Sequence, residues 1–223
     1  MTEMSSLEKL DALRRRDLYG LLAALFSRPP TSDLIRLLRS GRLPDELGLA
    51  QDCPARREFA AFLEESAADR DLERKLTAEH SRLFILPTTL HRRPYESVFL
   101  DSQRRLGGKI TIGVRRFYDY AGASFIYEDD LADHIGVELE FMAFLAGLET
   151  DAVESGLADA LRDARRIQSE FLREHLLLWA CDLCRQVQEE TRSRFYVGLA
   201  LLTAQFMAEE RSRGEAQVPQ EGG

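Results

Sequence analysis

The stretch that decides the fold is Asp133-His134-Ile135-Gly136-Val137-Glu138-Leu139-Glu140-Phe141-Met142. Its apolar residues recur at the three- and four-residue spacing of an α-helix, and Asp133 is well placed to accept hydrogen bonds from the free N–H groups at the helix start. His134 and Glu138 are four residues apart and share a helix face, where a carboxylate can hold an imidazole. The spacing leaves two interpretations open, a capped helix with a surface His–Glu pair or a polar ligand-binding patch.

The same periodicity continues on both sides of this segment. Apolar residues from Leu7 to Phe26 predict an amphipathic first helix that ends at Pro29-Pro30, although Arg14-Arg15-Arg16 superficially resembles an export signal. A second helix is expected to begin at Thr31 or Ser32, two more precede Pro87, and later helices cover 156–174, 175–190 and 193–211. Only 21 of the 223 residues are Pro or Gly, so the chain is predicted to be all-α.

The domain organisation follows from where the periodicity stops. Pro94, Gly107-Gly108 and Gly113 interrupt it, and Lys109–Val114 alternates briefly like a strand. We therefore predict one globular, bundle-like helical domain over 1–211. Its parts are an N-terminal part at about 5–86, a loop or hinge region at 87–120, and a C-terminal part at about 121–211, followed by a flexible tail at 212–223.

Composition excludes several classes of protein. With 30 Lys and Arg against 38 Asp and Glu, the net charge is −8, which argues against nucleic-acid binding. The longest apolar stretch, Leu21–Phe26, is far shorter than the ~20 residues that span a bilayer, so stable membrane insertion is not expected. Three cysteines, Cys53, Cys181 and Cys184, are too few for a disulfide framework and indicate a reducing compartment. We expect a cytoplasmic protein.

The charge is unevenly distributed along the middle of the chain. Residues 87–120 hold seven Lys or Arg and three acids, whereas residues 128–154 hold nine acids and no Lys or Arg. The two regions of opposite sign are expected to face each other or a charged ligand. Asp129-Asp130 is the densest part of the acidic run.

Motifs for catalysis and metal binding are weak. The chain has no G-x-S-x-G elbow, Walker loop or Gly-rich dinucleotide fingerprint, so we identify no catalytic residue. Cys181 and Cys184 have C-x-x-C spacing without a second pair, and we expect buried core thiols rather than a metal site. The chain also lacks the paired Glu-x-x-His motifs of a di-iron bundle.

Taken together in order, several fragments resemble the hallmarks of the TorD/DmsD/NarJ family. The resemblance spans roughly residues 15–210, and its most specific part is the Asp133-His134 helix start. Three positions depart from the family pattern, because Ala132 stands where a proline is common, and His80 and Tyr95 stand where tryptophans often occur. The matching fragments are Leu83-Phe84, Pro94-Tyr95-Glu96-Ser97-Val98-Phe99, Asp133–Met142, Phe171–Trp179 and Phe195–Leu199.

The resemblance implies a cytoplasmic, all-helical, non-enzymatic chaperone dedicated to a molybdenum-containing oxidoreductase. Such a chaperone binds the twin-arginine leader or the apo form of the catalytic subunit, delays export and assists insertion of the molybdopterin cofactor, which belongs to the client. The resemblance leaves weak guanine-nucleotide binding open, and the oligomeric state is expected to be a monomer or a domain-swapped homodimer. The family's peptide groove corresponds to Leu83, Phe84, Pro94, Tyr95, Asp133 and His134.

The residues themselves suggest how such a groove could work. A leader offers two arginines and then an apolar helix-prone segment, so its receptor needs an apolar groove rimmed by carboxylates. We predict that Leu83, Phe84, Tyr95 and Phe141 supply the groove. Its rim is expected to consist of Asp133, Glu138 and Glu96, with the Asp129-Asp130 run steering arginines towards it. The complete set of candidate binding residues is Leu83, Phe84, Pro94, Tyr95, Glu96, Ser97, Asp133, His134, Glu138 and Phe141.

Two alternative functions remain open at this point. The first is a helical nucleotide-binding or metal-binding protein, or an enzyme, that uses the His134 and Glu138 face. The second is a helical scaffold without a ligand.

Overall fold

A computed structural model describes residues 3–41, 49–50, 52–86, 93–123 and 131–217. Within these ranges the chain is helical and forms no strand beyond one isolated two-residue bridge. Two π-helical turns, Ser81–Ile85 and Leu172–Leu176, extend helices without a break. The α-helices are α1 (Glu3–Ser27), α2 (Ser32–Arg39), α3 (Pro54–Glu65), α4 (Leu72–His80), α5 (Glu96–Leu100), α6 (Lys109–Tyr120), α7 (Ile135–Ser155), α8 (Ala158–Phe171), α9 (Leu177–Glu190) and α10 (Arg194–Gln217).

The centre of the molecule is the pairing of α1 with α7, the most extensive contact between helices. The α8 helix packs on α7, and α10 joins α3 and α9 into the same body. One continuous core runs through these layers. Its largest fully buried side chains are Trp179, Tyr19, Tyr118, Tyr196, Phe26, Phe141, Phe171 and Phe195.

The helix starts and ends show why these segments fold locally. The Thr31 hydroxyl accepts a hydrogen bond from Leu34 N at the start of α2, as predicted. Pro54, which was expected in a loop, occupies the first turn of α3, where its missing N–H costs nothing. Gly156 ends α7 in the left-handed conformation, with φ of 67°.

The prediction of a loop over 87–120 is wrong for the part of this region that the structure describes. Glu96–Leu100 and Lys109–Tyr120 are helices, and the strand-like alternation at Lys109–Val114 belongs to the second of them. Val114 and Tyr118 are four residues apart and both fully buried, so tertiary packing of this face stabilises the helix. Residues 87–92 lie outside the described ranges.

The C-terminal boundary also differs from the prediction. The last helix continues to Gln217 rather than ending at 211, so residues 212–217 are not a tail. Cys53 and Cys184 are buried as expected, but Cys181 is exposed. Within the described residues, no helix is long and apolar enough to cross a membrane.

The first helix departs from simple amphipathicity near its start and at its middle. Leu7 and Leu10, predicted to face inward, are each 65% exposed, whereas Arg15 is only 5% exposed. The Arg15 guanidinium donates to Glu149 at 2.8 Å and to Glu210 at 2.9 Å, and it also bonds Gln168. These partners lie on α7, α10 and α8, so one buried cation ties four helices together.

Candidate functional site

Two segments far apart in sequence meet in a short antiparallel bridge. Glu96 N donates to Asp133 O and Ile135 N donates to Pro94 O, each at 2.9 Å. The rings of Tyr95 and His134 pack edge to face on this bridge, with centroids 5.1 Å apart. The tertiary structure therefore brings together the Pro94–Ser97 and Asp133–Ile135 fragments that the sequence singled out separately.

Asp133 stabilises this junction from inside rather than capping its own helix. Its Oδ2 accepts from Ser97 N at 2.9 Å, in the first turn of α5, and its Oδ1 accepts from the Thr111 hydroxyl at 2.7 Å. The Asp133 side chain is completely buried. The predicted cap of the 135–155 helix by Asp133 is therefore wrong, because both carboxylate oxygens serve α5 and α6.

His134 supplies the cap instead. Its Nδ1 accepts a hydrogen bond from Gly136 N at 3.1 Å, which satisfies one of the free N–H groups of α7. A Cβ at Gly136 would overlap the Ser27 hydroxyl and lie 3.2 Å from Ala23 O. Glycine at this position thus allows the end of α1 to approach the start of α7.

A surface pocket of about 180 Å³ opens at this contact. The end of α1, the π-helical turn after α4 and the bridged segments all contribute to its walls. Phe26 and Phe84 pack edge to face at the bottom with centroids 5.3 Å apart, and Ile85 is 57% exposed at the mouth. The lining residues are Phe26, Ser27, Phe84, Ile85, Arg93, Tyr95 and His134.

Three of the predicted groove residues line this pocket, namely Phe84, Tyr95 and His134. Leu83 and Pro94 are buried beside it, and the Ser97 hydroxyl accepts from Gly107 N at 2.9 Å. The predicted place of Phe141 in the groove is wrong, because its ring is fully buried against Tyr118 and Phe171.

The predicted acidic rim is also wrong. Glu96 is 1% exposed, and Asp133 and Glu138 are fully buried. Both oxygens of Glu96 lie within 3.0 Å of His175 Nδ1, and Glu138 accepts from Trp179 Nε1 at 3.2 Å. The Asp129-Asp130 run lies outside the described residues.

Sequence reasoning missed Phe26, Ser27, Ile85 and Arg93 as lining residues. Ile85 directly follows the Leu83-Phe84 fragment and Arg93 directly precedes the Pro94–Phe99 fragment, so each fragment was one residue too short. Phe26 and Ser27 carried no local signal, because they reach the pocket only through the packing of α1 on α7.

Burial shifts the proton equilibria of two residues below the site. Burial raises the pKa of Glu138 well above its usual value, and the carboxylates of Glu96 and Asp133 raise it further. Burial lowers the pKa of His80 to about 4, and its ring packs 5.0 Å from that of Phe84. Burial therefore favours the neutral forms of Glu138 and His80 in the packed interior.

Replacing Glu138 with glutamine should preserve the fold and increase stability at pH 7. A carboxyl whose folded pKa is raised contributes stability at low pH and loses it as the pH rises above the unfolded value of about 4.5. Glutamine mimics the neutral carboxyl and can still accept from Trp179. Urea unfolding of both proteins between pH 5 and 8 should show the advantage of Glu138→Gln growing with pH. An advantage that is constant or shrinks would contradict a neutral Glu138.

The His134 and Glu138 pair does not form the exposed face that one alternative function required. Both residues are buried, and their side chains bond Gly136 N and Trp179 Nε1 respectively. Within the described residues, no three His, Cys, Asp or Glu side chains form a group that could hold a metal ion.

Comparison with solved structures identifies the class of fold. A crystal structure from Archaeoglobus fulgidus, described as that of a redox enzyme maturation protein, superposes with a TM-score of 0.52 at 22% identity. The match covers 87% of this chain and 93% of the other. The two proteins share an all-helical fold.

The chain belongs to the nitrate reductase delta subunit family, whose model matches residues 48–185. This confirms the resemblance to the TorD/DmsD/NarJ group. The "Probable Tat proofreading chaperone DmsD" of Haemophilus influenzae is 27% identical over 94% of this chain and 96% of its own length. The "Selenate reductase assembly chaperone protein" of Thauera selenatis is 34% identical over 48% of this chain and 54% of its own.

Proposed function

We propose that this protein is a cytoplasmic maturation chaperone for the catalytic subunit of a molybdenum-containing oxidoreductase and is not itself an enzyme. Membership of the family supports this role, as do relatives named for proofreading and for reductase assembly. In this proposal the molybdopterin cofactor belongs to the client, and the chaperone carries no cofactor of its own.

The pocket at the junction of the two signature segments is the proposed client-binding site. The observation that carries this proposal is the Pro94–Glu96 and Asp133–Ile135 bridge, which places Tyr95 and His134 beside Phe84 and the exposed Ile85. Exposed apolar side chains next to a pocket are typical of peptide-binding surfaces. Leu86, which is 74% exposed, extends this apolar surface beyond the pocket.

The client segment that binds here is the apolar part of the twin-arginine leader or an equivalent apolar segment of the apoprotein. The pocket supplies aromatic and aliphatic contacts, and the three carboxylates proposed for the rim are occupied inside the protein. Binding through apolar contacts would hold the segment away from the export machinery while the apoprotein remains open for cofactor insertion.

Substitution at the mouth of the pocket tests the site without damaging the fold. We expect Ile85→Ala to weaken binding of a client leader peptide about 5- to 20-fold, the effect of losing roughly 1–2 kcal/mol of apolar contact. Isothermal titration calorimetry with the peptide, and co-purification with the apoprotein, would measure this loss. Tyr95→Ala should weaken binding further, because it removes a wall of the pocket.

Leu178→Ala provides the matched control, since Leu178 is 51% exposed and lies on α9, away from the pocket. It should leave the affinity unchanged. Equal losses in Ile85→Ala and Leu178→Ala would show that general surface hydrophobicity, rather than this site, holds the client. Absence of any interaction between the wild type and a molybdoenzyme subunit encoded beside it would overturn the proposed function itself.

A further inference from the structure

Arg93 is the one charged residue among those that line the pocket in the part of the chain that the structure describes. It is half-buried, and its guanidinium forms no ion pair within the described residues. Its backbone is held in place, because Tyr95 N donates to Arg93 O at 2.8 Å and Pro94 follows directly. A cation held at the edge of a ligand pocket calls for an anion in the ligand.

Among the described residues, the carboxyl groups of the two signature segments and of Glu138 are engaged elsewhere. Asp133 bonds Ser97 N and Thr111 Oγ1, Glu96 bonds His175, and Glu138 accepts from Trp179. No described carboxylate lines the pocket. The described lining of the pocket therefore carries a positive charge, although the whole chain carries a net charge of −8.

Besides its charge, the size of the pocket limits which ligand side chain it can hold. Its volume of about 180 Å³ is comparable to the ~150 Å³ apolar cavity that holds one benzene ring. Ile85 offers exposed apolar surface above the buried Phe26 and Phe84 rings, and Tyr95 and His134 add ring edges. One leucine or phenylalanine side chain would occupy this space.

We infer that the pocket recognises a client segment in which one large apolar side chain is flanked by a carboxylate, which pairs with Arg93. The inference rests on the proposed function and assigns the specificity of the same site. The paired arginines of a leader would meet a like charge here, which disfavours them in this pocket. They therefore bind outside it, and the apolar segment with its acidic neighbour is what the pocket selects.

A charge-swap experiment tests this assignment. The probes are three 12-residue peptides that share a client-derived sequence with a central Phe, followed by Glu, Gln or Arg. For the wild type we expect the Glu peptide to bind at least 10-fold more tightly than the Arg peptide, with the Gln peptide between them. In Arg93→Glu the order should reverse. Calorimetry at two salt concentrations should show the preference decreasing as salt increases.

Arg116→Glu is the control, because Arg116 is exposed on α6, is not among the pocket residues, and changes the net charge by the same amount. It should preserve the wild-type order. Equal affinities for the three peptides, or an order that Arg93→Glu leaves unchanged, would overturn the inference. If either of these results were obtained and the apoprotein still bound the wild type, the proposed chaperone function would remain supported while the inference about the pocket would not. The affinities of wild type and Arg93→Glu should also be measured for the apoprotein with its leader and for the apoprotein without it. A difference that disappears when the leader is removed would place the acidic motif in the leader.

Discussion

Replacing Arg15 with alanine should lower the free energy of unfolding by about 3–5 kcal/mol, because it removes the buried cation that Glu149 and Glu210 share and leaves each with only a partly exposed arginine, Arg165 or Arg213. Glu149 is 3% exposed and Glu210 is 1% exposed. Burial raises the pKa of Glu149, but Arg15 and Arg165 outweigh this and hold it below its usual value. The Tyr19 hydroxyl donates to the same Glu210 carboxylate at 2.8 Å, so the substitution also affects a hydrogen bond within the core.

Urea denaturation of Arg15→Ala, Arg15→Met and Arg16→Ala would measure this effect. Arg16 is the matched control, since its side chain is 44% exposed and pairs only with the adjacent Asp17 among the described residues. The Arg16→Ala substitution should lower the free energy of unfolding by no more than about 0.5 kcal/mol. Arg15→Met keeps the packing of the aliphatic stem, so a deficit similar to that of Arg15→Ala would assign the loss to the charge.

The difference in free energy of unfolding between the wild type and Arg15→Ala should become smaller as the pH falls from 7 to 5. Arg15 is one of the groups that lower the pKa of Glu149, so its removal lets the folded protein bind a proton there more readily, and the stability lost is smaller at low pH. A deficit that grows on acidification, or an Arg15→Ala protein as stable as Arg16→Ala, would contradict a role for Arg15 as the central cation of the four helices.

Replacing Phe141 with alanine should lower the free energy of unfolding by about 3–5 kcal/mol and should affect folding rather than client binding. The Phe141 ring is fully buried, with its centroid 4.5 Å from that of Tyr118 and 4.9 Å from that of Phe171. Its removal opens a cavity between α6, α7 and α8. Thermal and urea unfolding would report the loss, and the fraction that remains folded should bind leader peptide with wild-type affinity.

Leu148→Ala on the same helix is the control, because Leu148 is 39% exposed and its truncation should cost less than about 1 kcal/mol. A Phe141→Ala protein with wild-type stability but weakened peptide binding would place Phe141 in the groove after all, as the sequence pattern suggested.

Helical periodicity predicted most elements because it depends on neighbours three and four residues apart. The helix that ends before Pro29, the cap at Thr31 and the all-α class were all confirmed. The helix over 109–120 was missed because glycines at 107, 108 and 113 dominate the local signal. Gly113 lies inside that helix, where a Cβ would lie 3.4 Å from the His175 ring.

The candidate site was predicted in its parts but not in its electrostatics. The Pro94–Ser97 and Asp133–Ile135 fragments do meet, which supports the family resemblance as a guide to position. Their carboxylates were expected to face solvent because Asp and Glu are seldom fully buried. Here they bond Ser97, Thr111, His175 and Trp179, and a sequence does not show such long-range partners.

The amino-acid sequence by itself determined the helical class, the family and the segments that form the site. Tertiary structure alone decided that Arg15 is buried, that Asp133 links α5 and α6, and that Arg93 is the charge in the pocket. The physical reason is that helix formation is local, whereas burial and ion pairing depend on side chains brought together from distant helices. The net acidity that suggested an acidic rim therefore coexists with a pocket whose described lining carries a positive charge.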